Sequence, residues 1–312
     1  MNSNDQLSPL RIGTRGSPLA LAQAHEVAAR LRAAWPALSE EGAIAVVVID
    51  TRGDRILDRP LAEIGGKGLF TEEIEARLLN GRIDVAVHSM KDMPTVLPDG
   101  LEISCMLPRE DPRDVLLSRD GLRLDELPAG AVVGTASLRR KSQVLALRPD
   151  LTVISFRGNV QTRMRKLQEG QADATLLALA GLKRLDITGA ATQIFEPEVI
   201  LPAVAQGAIG IEIRTDDDRI RGLLAAINCS DTLRCVEAER VMLHALDGSC
   251  RTPIAGQATL QGDQIVMTGL VASEDGTQVW RAQRSGAATD ALAIGRALGE
   301  HLKQLQQETS GR

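Results

Sequence analysis

Between Ile83 and Pro94 the chain reads Ile-Asp-Val-Ala-Val-His-Ser-Met-Lys-Asp-Met-Pro, which sets out His88, Ser89, Lys91 and Asp92 within five residues. Lys91 and Asp92 place a cation beside a carboxylate, a pair that can meet a ligand carrying both signs of charge. The apolar run Val85-Ala-Val87 ahead of them has the pattern of a strand buried on both faces of a parallel sheet. In open α/β sheets ligands sit outside the carboxyl ends of the strands, where these four side chains would lie. Alone, they read equally as a solvated loop.

The rest of the chain repeats the arrangement and adds cations. Ile12-Gly-Thr-Arg-Gly-Ser-Pro-Leu19 reads strand, glycine-bearing turn, then helix, with Ser17 as N-cap and Pro18 in the first turn. Such a turn aims backbone N–H groups and the positive helix end at an anion, and Arg15 adds a bidentate grip suited to a carboxylate. Val133-Gly-Thr-Ala-Ser-Leu-Arg-Arg140 repeats the pattern with a spacer one residue shorter. Here Arg139 and Arg140 fall in the first helical turn, where cations oppose the helix dipole, so a bound anion is expected to offset them. Arg157 precedes an Asn159 N-cap, Arg163 lies on the helix after it, and Lys183 and Arg184 follow a strand resembling the one at Val85. Gly65-Gly-Lys-Gly-Leu-Phe70 holds Lys67 between glycines in a long segment that reads equally as a lid or as a surface loop, and it lacks the spacing of a Walker phosphate loop.

The elements that must position these residues form two related α/β lobes. A strand at Leu10–Gly13, a helix to about Arg32, a strand at Ile44–Asp50 and a helix at Glu72–Asn80 precede the Val85 strand. Pro108-Arg-Glu-Asp-Pro-Arg-Asp114 reads as a crossing into the second lobe. Val199 to Arg214 reads as a return whose strand rejoins the first, so that paired strands form the hinge. From Ser230 the pattern changes. A helix capped by Ser230 runs over Asp231–Leu246, three strands at Ala255–Leu260, Gln264–Val271 and Gln278–Gln283 suggest an antiparallel meander, and a helix at Asp290–Gln307 closes the chain.

Composition narrows the function. Aromatics make up 2% of the chain and Tyr is absent, which argues against a base-stacking nucleic-acid surface. The net charge of -5 gives no global field for DNA or acidic membranes, so anion binding must come from local Arg and Lys clusters. No signal peptide or membrane-length apolar run is visible, and Cys105, Cys229, Cys235 and Cys250 form no CxxC pair or zinc spacing. A reduced, cytoplasmic protein is expected. Cys105 reads as a core residue. Cys250, in the turn Leu246-Asp-Gly-Ser-Cys-Arg-Thr-Pro-Ile254 beside Arg251, reads either as a small structural residue, the commoner case for a single cysteine, or as an exposed thiol whose thiolate is favoured.

Taken together these segments resemble the porphobilinogen deaminase (hydroxymethylbilane synthase) family. The resemblance rests on Arg11–Ala20, Thr51–Asp54, Gly65–Phe70, His88–Asp92, Arg109–Asp114, Gly134–Arg140, Arg157–Asn159, Leu182–Leu185 and Gly248–Cys250 before Pro253, in that order across essentially the whole chain. Ala136 stands where many members carry Ser.

The resemblance implies a transferase of tetrapyrrole biosynthesis that joins four porphobilinogen molecules head to tail, with loss of ammonia, into hydroxymethylbilane. Cys250 would carry a dipyrromethane cofactor through a thioether, and Asp92 would be the catalytic carboxylate, stabilising the cationic azafulvene formed as ammonia leaves. Ser89, Lys91, Thr135, Ser137, Arg139, Arg140, Arg157, Gly158, Arg163 and Arg184, with Asp92, would hold the cofactor. Arg15, Ser17, Lys67, Phe70 and Gln206 would hold substrate. No metal, nucleotide, nucleic acid or membrane is called for, and a monomer is expected.

The fold expected is α/β: two periplasmic-binding-protein-like doubly wound lobes around a hinged cleft, plus a small α+β third domain with a three-stranded antiparallel sheet. Residues 1–108 with 203–226 would form the first domain, 109–202 the second and 227–312 the third. A non-catalytic two-lobed anion binder is the main alternative, since fold does not fix function.

Overall fold

The computed structural model of the chain describes residues 9–55, 71–248 and 252–310. Its first lobe is built from β1 (Leu10–Arg15), α1 (Pro18–Ala34), β2 (Ile44–Ile49), the short α2 (Arg52–Arg55), α3 (Glu72–Leu79), β3 (Val85–Ser89) and β4 (Leu101–Met106). The second lobe follows with β5 (Asp114–Ser118), β6 (Val132–Gly134), α4 (Leu138–Leu147), β7 (Thr152–Ile154), α5 (Val160–Gln168), β8 (Ala174–Ala178), α6 (Leu179–Arg184) and β9 (Gln193–Ile194). The chain then returns through β10 (Ile209–Arg214) and α7 (Asp218–Ala225). It ends in α8 (Ser230–Ala245), β11 (Ile254–Gln261), β12 (Gln264–Ala272), β13 (Val279–Ala287) and α9 (Ala291–Ser310).

Strand order is β2-β1-β3-β10-β4 in the first sheet and β7-β6-β8-β5-β9 in the second. The two orders correspond position by position, which is the structural form of the sequence echo. β3 is parallel to β1 but antiparallel to β10, so it lies in a mixed sheet, not the parallel one its apolar run suggests. In the second sheet β5 is likewise antiparallel to both its neighbours. β5 and β10 are the strands by which the chain changes lobes, and each enters its sheet from the opposite side. An apolar run satisfies either pairing equally, which is why direction was not legible.

The expected hinge strands are absent among the described residues. Residues 107–113 and 201–208 cross between lobes as irregular backbone, held by side chains. Glu239 of α8, fully buried, accepts from Arg109 Nη1 at 2.5 Å on one crossing and from Ala205 N at 2.6 Å on the other, and also from Ala258 N on β11. Gly207 has φ +89, and a Cβ there would lie 2.2 Å from Glu110 O, so the close approach of the crossings requires glycine.

The final helix pair and its meander have the antiparallel order β11-β12-β13. Their core is continuous with the first lobe, since Met242, Leu298 and Leu302 cluster with Met90, Met93 and Met106. The N-cap of α8 is Cys229 rather than Ser230, and it makes no side-chain capping bond. The segment is held instead by Cys229 N donating to Met106 O at 2.8 Å. No helix among the described residues is long and apolar enough to cross a membrane.

Candidate active site

The predicted chemical stretch ends β3 and turns at once through a 3-10 turn, Met90–Asp92. Two contacts fix that turn. Met90 N donates to Ala208 O at 3.1 Å, and the Met90 thioether lies over Gly210, where a Cβ would come within 2.1 Å of sulfur. Any side chain at 210 would lift the turn off β10. Asp92 is left exposed at the mouth, while Lys91 Nζ reaches Gln206 Oε1 at 3.4 Å. Burial pushes the Lys91 ammonium down to about 8, with Asp92 pulling the other way and Arg140 adding to the depression.

Arg15, Ser17, Gln23, Ser89, Lys91 and Asp92 line one open pocket. Ser17 caps α1 by accepting from Ala20 N at 3.3 Å, so its hydroxyl proton remains available to a ligand. Ser89 is committed differently: Gln23 Nε2 donates to its Oγ at 2.8 Å, and the hydroxyl lies 3.1 Å from Gln23 Oε1.

The second lobe brings the arginines. Ser137 caps α4 by accepting from Arg140 N, and Thr135 Oγ1 accepts from Ser137 N at 3.2 Å. The anion that offsets Arg139 and Arg140 turns out to be internal. Asp114, the first residue of β5, lies 2.6 Å from Arg139 Nη1 and 2.7 Å from Arg140 Nη2, with all three residues buried. This corrects the expectation that a ligand alone must satisfy the twin arginines. Burial would raise the Asp114 carboxyl, but the two guanidiniums outweigh it and hold it far below the usual carboxylate range. Gln206 Nε2 also donates to Asp114 at 2.9 Å, joining the arginine pair to Lys91.

Arg163, on α5, donates through Nε to Gly158 O at 2.9 Å. Burial and then Arg140 push it down to about 10, Asp92 opposes them, and Arg157 depresses it further. Lys91 of the first lobe and Arg163 of the second thus both feel Asp92, and both also feel the positive charge of Arg140. A bound polyanion would relieve that repulsion.

Arg184 is placed apart from this group. Its Nε lies 3.3 Å from Glu26 Oε2 on α1 and its Nη2 donates to Gly207 O at 3.0 Å, so it ties the second lobe to the first. Lys67, Phe70 and Cys250 lie outside the described residues. Of the other thiols, burial pushes Cys105 up to about 12 and Cys235 up to about 11, which makes both poor nucleophiles at neutral pH.

Sequence reasoning passed over Asp114, Gln23 and Glu26. Asp114 stands at the end of the charged segment that reads only as a crossing between lobes. Gln23 carried a signal: it is a polar residue on the face of α1 that also buries Ala20, Ala24 and Val27.

Comparison with known proteins follows from this geometry. Residues 10–222 match the family model described as porphobilinogen deaminase, dipyromethane cofactor binding domain, and residues 233–304 match the porphobilinogen deaminase C-terminal domain. A porphobilinogen deaminase from Paracoccus denitrificans is 56% identical over 299 residues, covering 96% of this chain and 95% of its own. A chloroplastic porphobilinogen deaminase from Pisum sativum is 57% identical over 297 residues, covering 94% of this chain and 80% of its own. Likeness to solved structures is slighter: an ancestral cationic amino acid solute-binding protein has a TM-score of 0.40 at 14% identity, covering 70% of this chain and 86% of its own. With both domain models matched and more than half of all residues shared over nearly its whole length, the chain belongs to the porphobilinogen deaminase family, enzymes of tetrapyrrole biosynthesis with a dipyrromethane cofactor.

Proposed function

We propose that this chain joins four porphobilinogen molecules head to tail, with loss of ammonia, into linear hydroxymethylbilane, using a dipyrromethane held through a thioether at Cys250. The observation that carries this reading is the gathering of cations about one exposed carboxylate: Lys91 and Arg163 both feel Asp92, while Arg139 and Arg140 act on Lys91 and Arg157 acts on Arg163. Each pyrrole unit carries an acetate and a propionate, so the growing chain is a polyanion of the kind such a cluster fits. Asp114 neutralises part of the charge of Arg139 and Arg140.

In this reading Arg163, Arg157 and the outward donors of Arg139 and Arg140 hold the cofactor carboxylates, with Thr135 and Ser137 adding hydroxyl donors. When bound, the cofactor supplies the pyrrole carbon that begins the chain. Arg15 and Ser17, on the pocket wall of the first lobe, hold the incoming substrate's carboxylates. Asp92 accepts from pyrrole N–H groups, stabilises the positive charge that develops as ammonia departs, and takes the proton released on coupling. Lys91, with its pKa brought down to about 8, gives a cation beside Asp92 whose charge is shed in mild base. The domains proposed are 1–108 with 203–226, 109–202, and 227–312, with the cofactor cysteine in the third.

A non-catalytic anion binder is disfavoured by the family membership. Purified protein given porphobilinogen is expected to release ammonia and a linear tetrapyrrole in a ratio of four to one. Binding of porphobilinogen without ammonia release would contradict the reading.

A further inference from the structure

Beneath the Asp92 turn lies a group of ionisable side chains that the reaction above leaves unused. His88, just before Ser89 on β3, is 6% exposed, and its Nε2 lies 3.0 Å from Glu212 Oε2 on β10. Glu212 is fully buried and its other oxygen, Oε1, has no hydrogen-bond partner. Glu75, buried in the first turn of α3, also has one oxygen, Oε1, without a partner.

Topology explains how they meet. Gly210 is paired with His88 and Glu212 with Ala86, so Glu212 and His88 share a sheet face. Residues of α3 cluster with Ala86 on that face. The β10–β4 register shifts between Ile211 and Glu212, and an irregularity of that kind re-aims a side chain.

Two buried carboxyl groups, each with an unsatisfied oxygen, are costly in a core that hydrophobic residues would fill well. The group is also not placed to hold a metal ion. Sharing protons is the remaining chemistry that lowers the cost.

We propose that Glu212 and His88 share a proton within a buried cluster that Glu75 of α3 borders, and that Glu212, acting through His88, is a positioning residue that holds the end of β3 so that Ser89, Lys91 and Asp92 face the substrate. The positioning half rests on the reading of Asp92 as the reacting carboxylate.

The surroundings fix the sign of its pH dependence. Burial raises the Glu75 pKa, and it outweighs the Thr71 hydroxyl, which lowers it; Glu212 and Glu72 add to the rise and His88 opposes it. From α8, Arg240 faces Glu212 and is itself faced by Glu237, while it donates to Pro94 O at 2.7 Å just beyond the turn. At the far end of β3, Asp84 is occupied by Arg11 and Arg214 and takes no part. The N-terminal end of α3 favours a charged Glu75, but burial dominates. A carboxyl with a raised folded-state pKa contributes stability below its unfolded pKa and loses it as pH rises through the folded value. Glu75→Gln, neutral at every pH, is therefore expected to have a Tm ~2–4 °C above that of the parent protein near pH 7, with the gain vanishing near about pH 4.

The chain has four histidines, so imidazole 15N resonances can follow His88 directly, assigned with His88→Asn. In holoenzyme, Glu212→Gln is expected to displace the His88 titration curve from that of the parent protein, and Glu75→Gln to displace it less. Glu212→Gln is also expected to lower kcat about 10-fold with KM changed less than two-fold, and to displace the pH profile of kcat. A His88 titration unmoved by either substitution would overturn the cluster. A kcat and pH profile equal to the parent's in Glu212→Gln would overturn the positioning role. If the parent protein itself fails to consume porphobilinogen, the assigned reaction falls, and the His88 titration still decides the cluster.

Discussion

Asp92→Asn is expected to lower turnover of porphobilinogen by about 100-fold or more while the protein keeps its cofactor and its stability. The size follows from what a positioned acid–base and charge-stabilising group contributes, about 10²–10⁴-fold in rate. The lack of a structural penalty follows from placement. Asp92 is exposed at the end of a turn held by Met90 and Gly210, so an isosteric amide disturbs no packing. The Tm should stay within ~2 °C of the parent protein. An amide can still accept from a pyrrole N–H, but it cannot balance a developing cation or take a proton. The deficit should therefore appear in kcat with little change in KM. Turnover within a few-fold of the parent would remove Asp92 from the chemistry.

The largest expected effect on stability belongs to Asp114→Asn. The substitution keeps the shape of the side chain but leaves Arg139 and Arg140 facing one another in a buried site without their carboxylate. Breaking a buried pair by removing one partner typically costs about 3–5 kcal/mol, which for a chain of this size is a fall in Tm of the order of 10 °C. Because the Asp114 pKa is held well below its unfolded value, the pair's contribution is fully present above the ordinary carboxylate range and is lost only as pH falls through the depressed value. Two further consequences separate this account from a generic core lesion. The loss should be smaller in cofactor-loaded protein than in apoprotein, because a bound polyanion partly compensates the arginines. It should also be largely absent in Asp114→Asn combined with Arg139→Met and Arg140→Met, which removes the stranded charge. A loss equal in loaded and apo forms would show that the arginines do not face the cofactor.

Much of this was legible in the chain because local chemistry is local. Ser17 before Pro18, Ser137 before a helix and Asn159 before another each cap as their type requires. The repeated strand, Gly-Thr turn and helix correctly announced two lobes of matching strand order. The misses share a cause: they depend on what arrives from elsewhere. Nothing near Arg139 and Arg140 in sequence says that Asp114, from the crossing segment, will reach between them. The dipole argument correctly identified an anion and missed that the protein supplies it. The mixed pairing of β3 escapes the sequence for a related reason, since apolar side chains satisfy parallel and antiparallel neighbours alike. Cys229 took the cap of α8 in place of Ser230 because its backbone is anchored to Met106 O, a contact between segments far apart in sequence. The contact of Arg184 with Glu26 likewise depends on the meeting of α6 with α1, which no local pattern announces.

The central claim is a covalent dipyrromethane at Cys250 that primes the reaction, and the intact mass of the purified protein tests it most directly, measured beside Cys250→Ser. An added mass equal to two deaminated pyrrole units is expected on the parent chain and absent from the variant, which should also release no tetrapyrrole. An unmodified parent chain that gains no mass when given porphobilinogen would contradict the account.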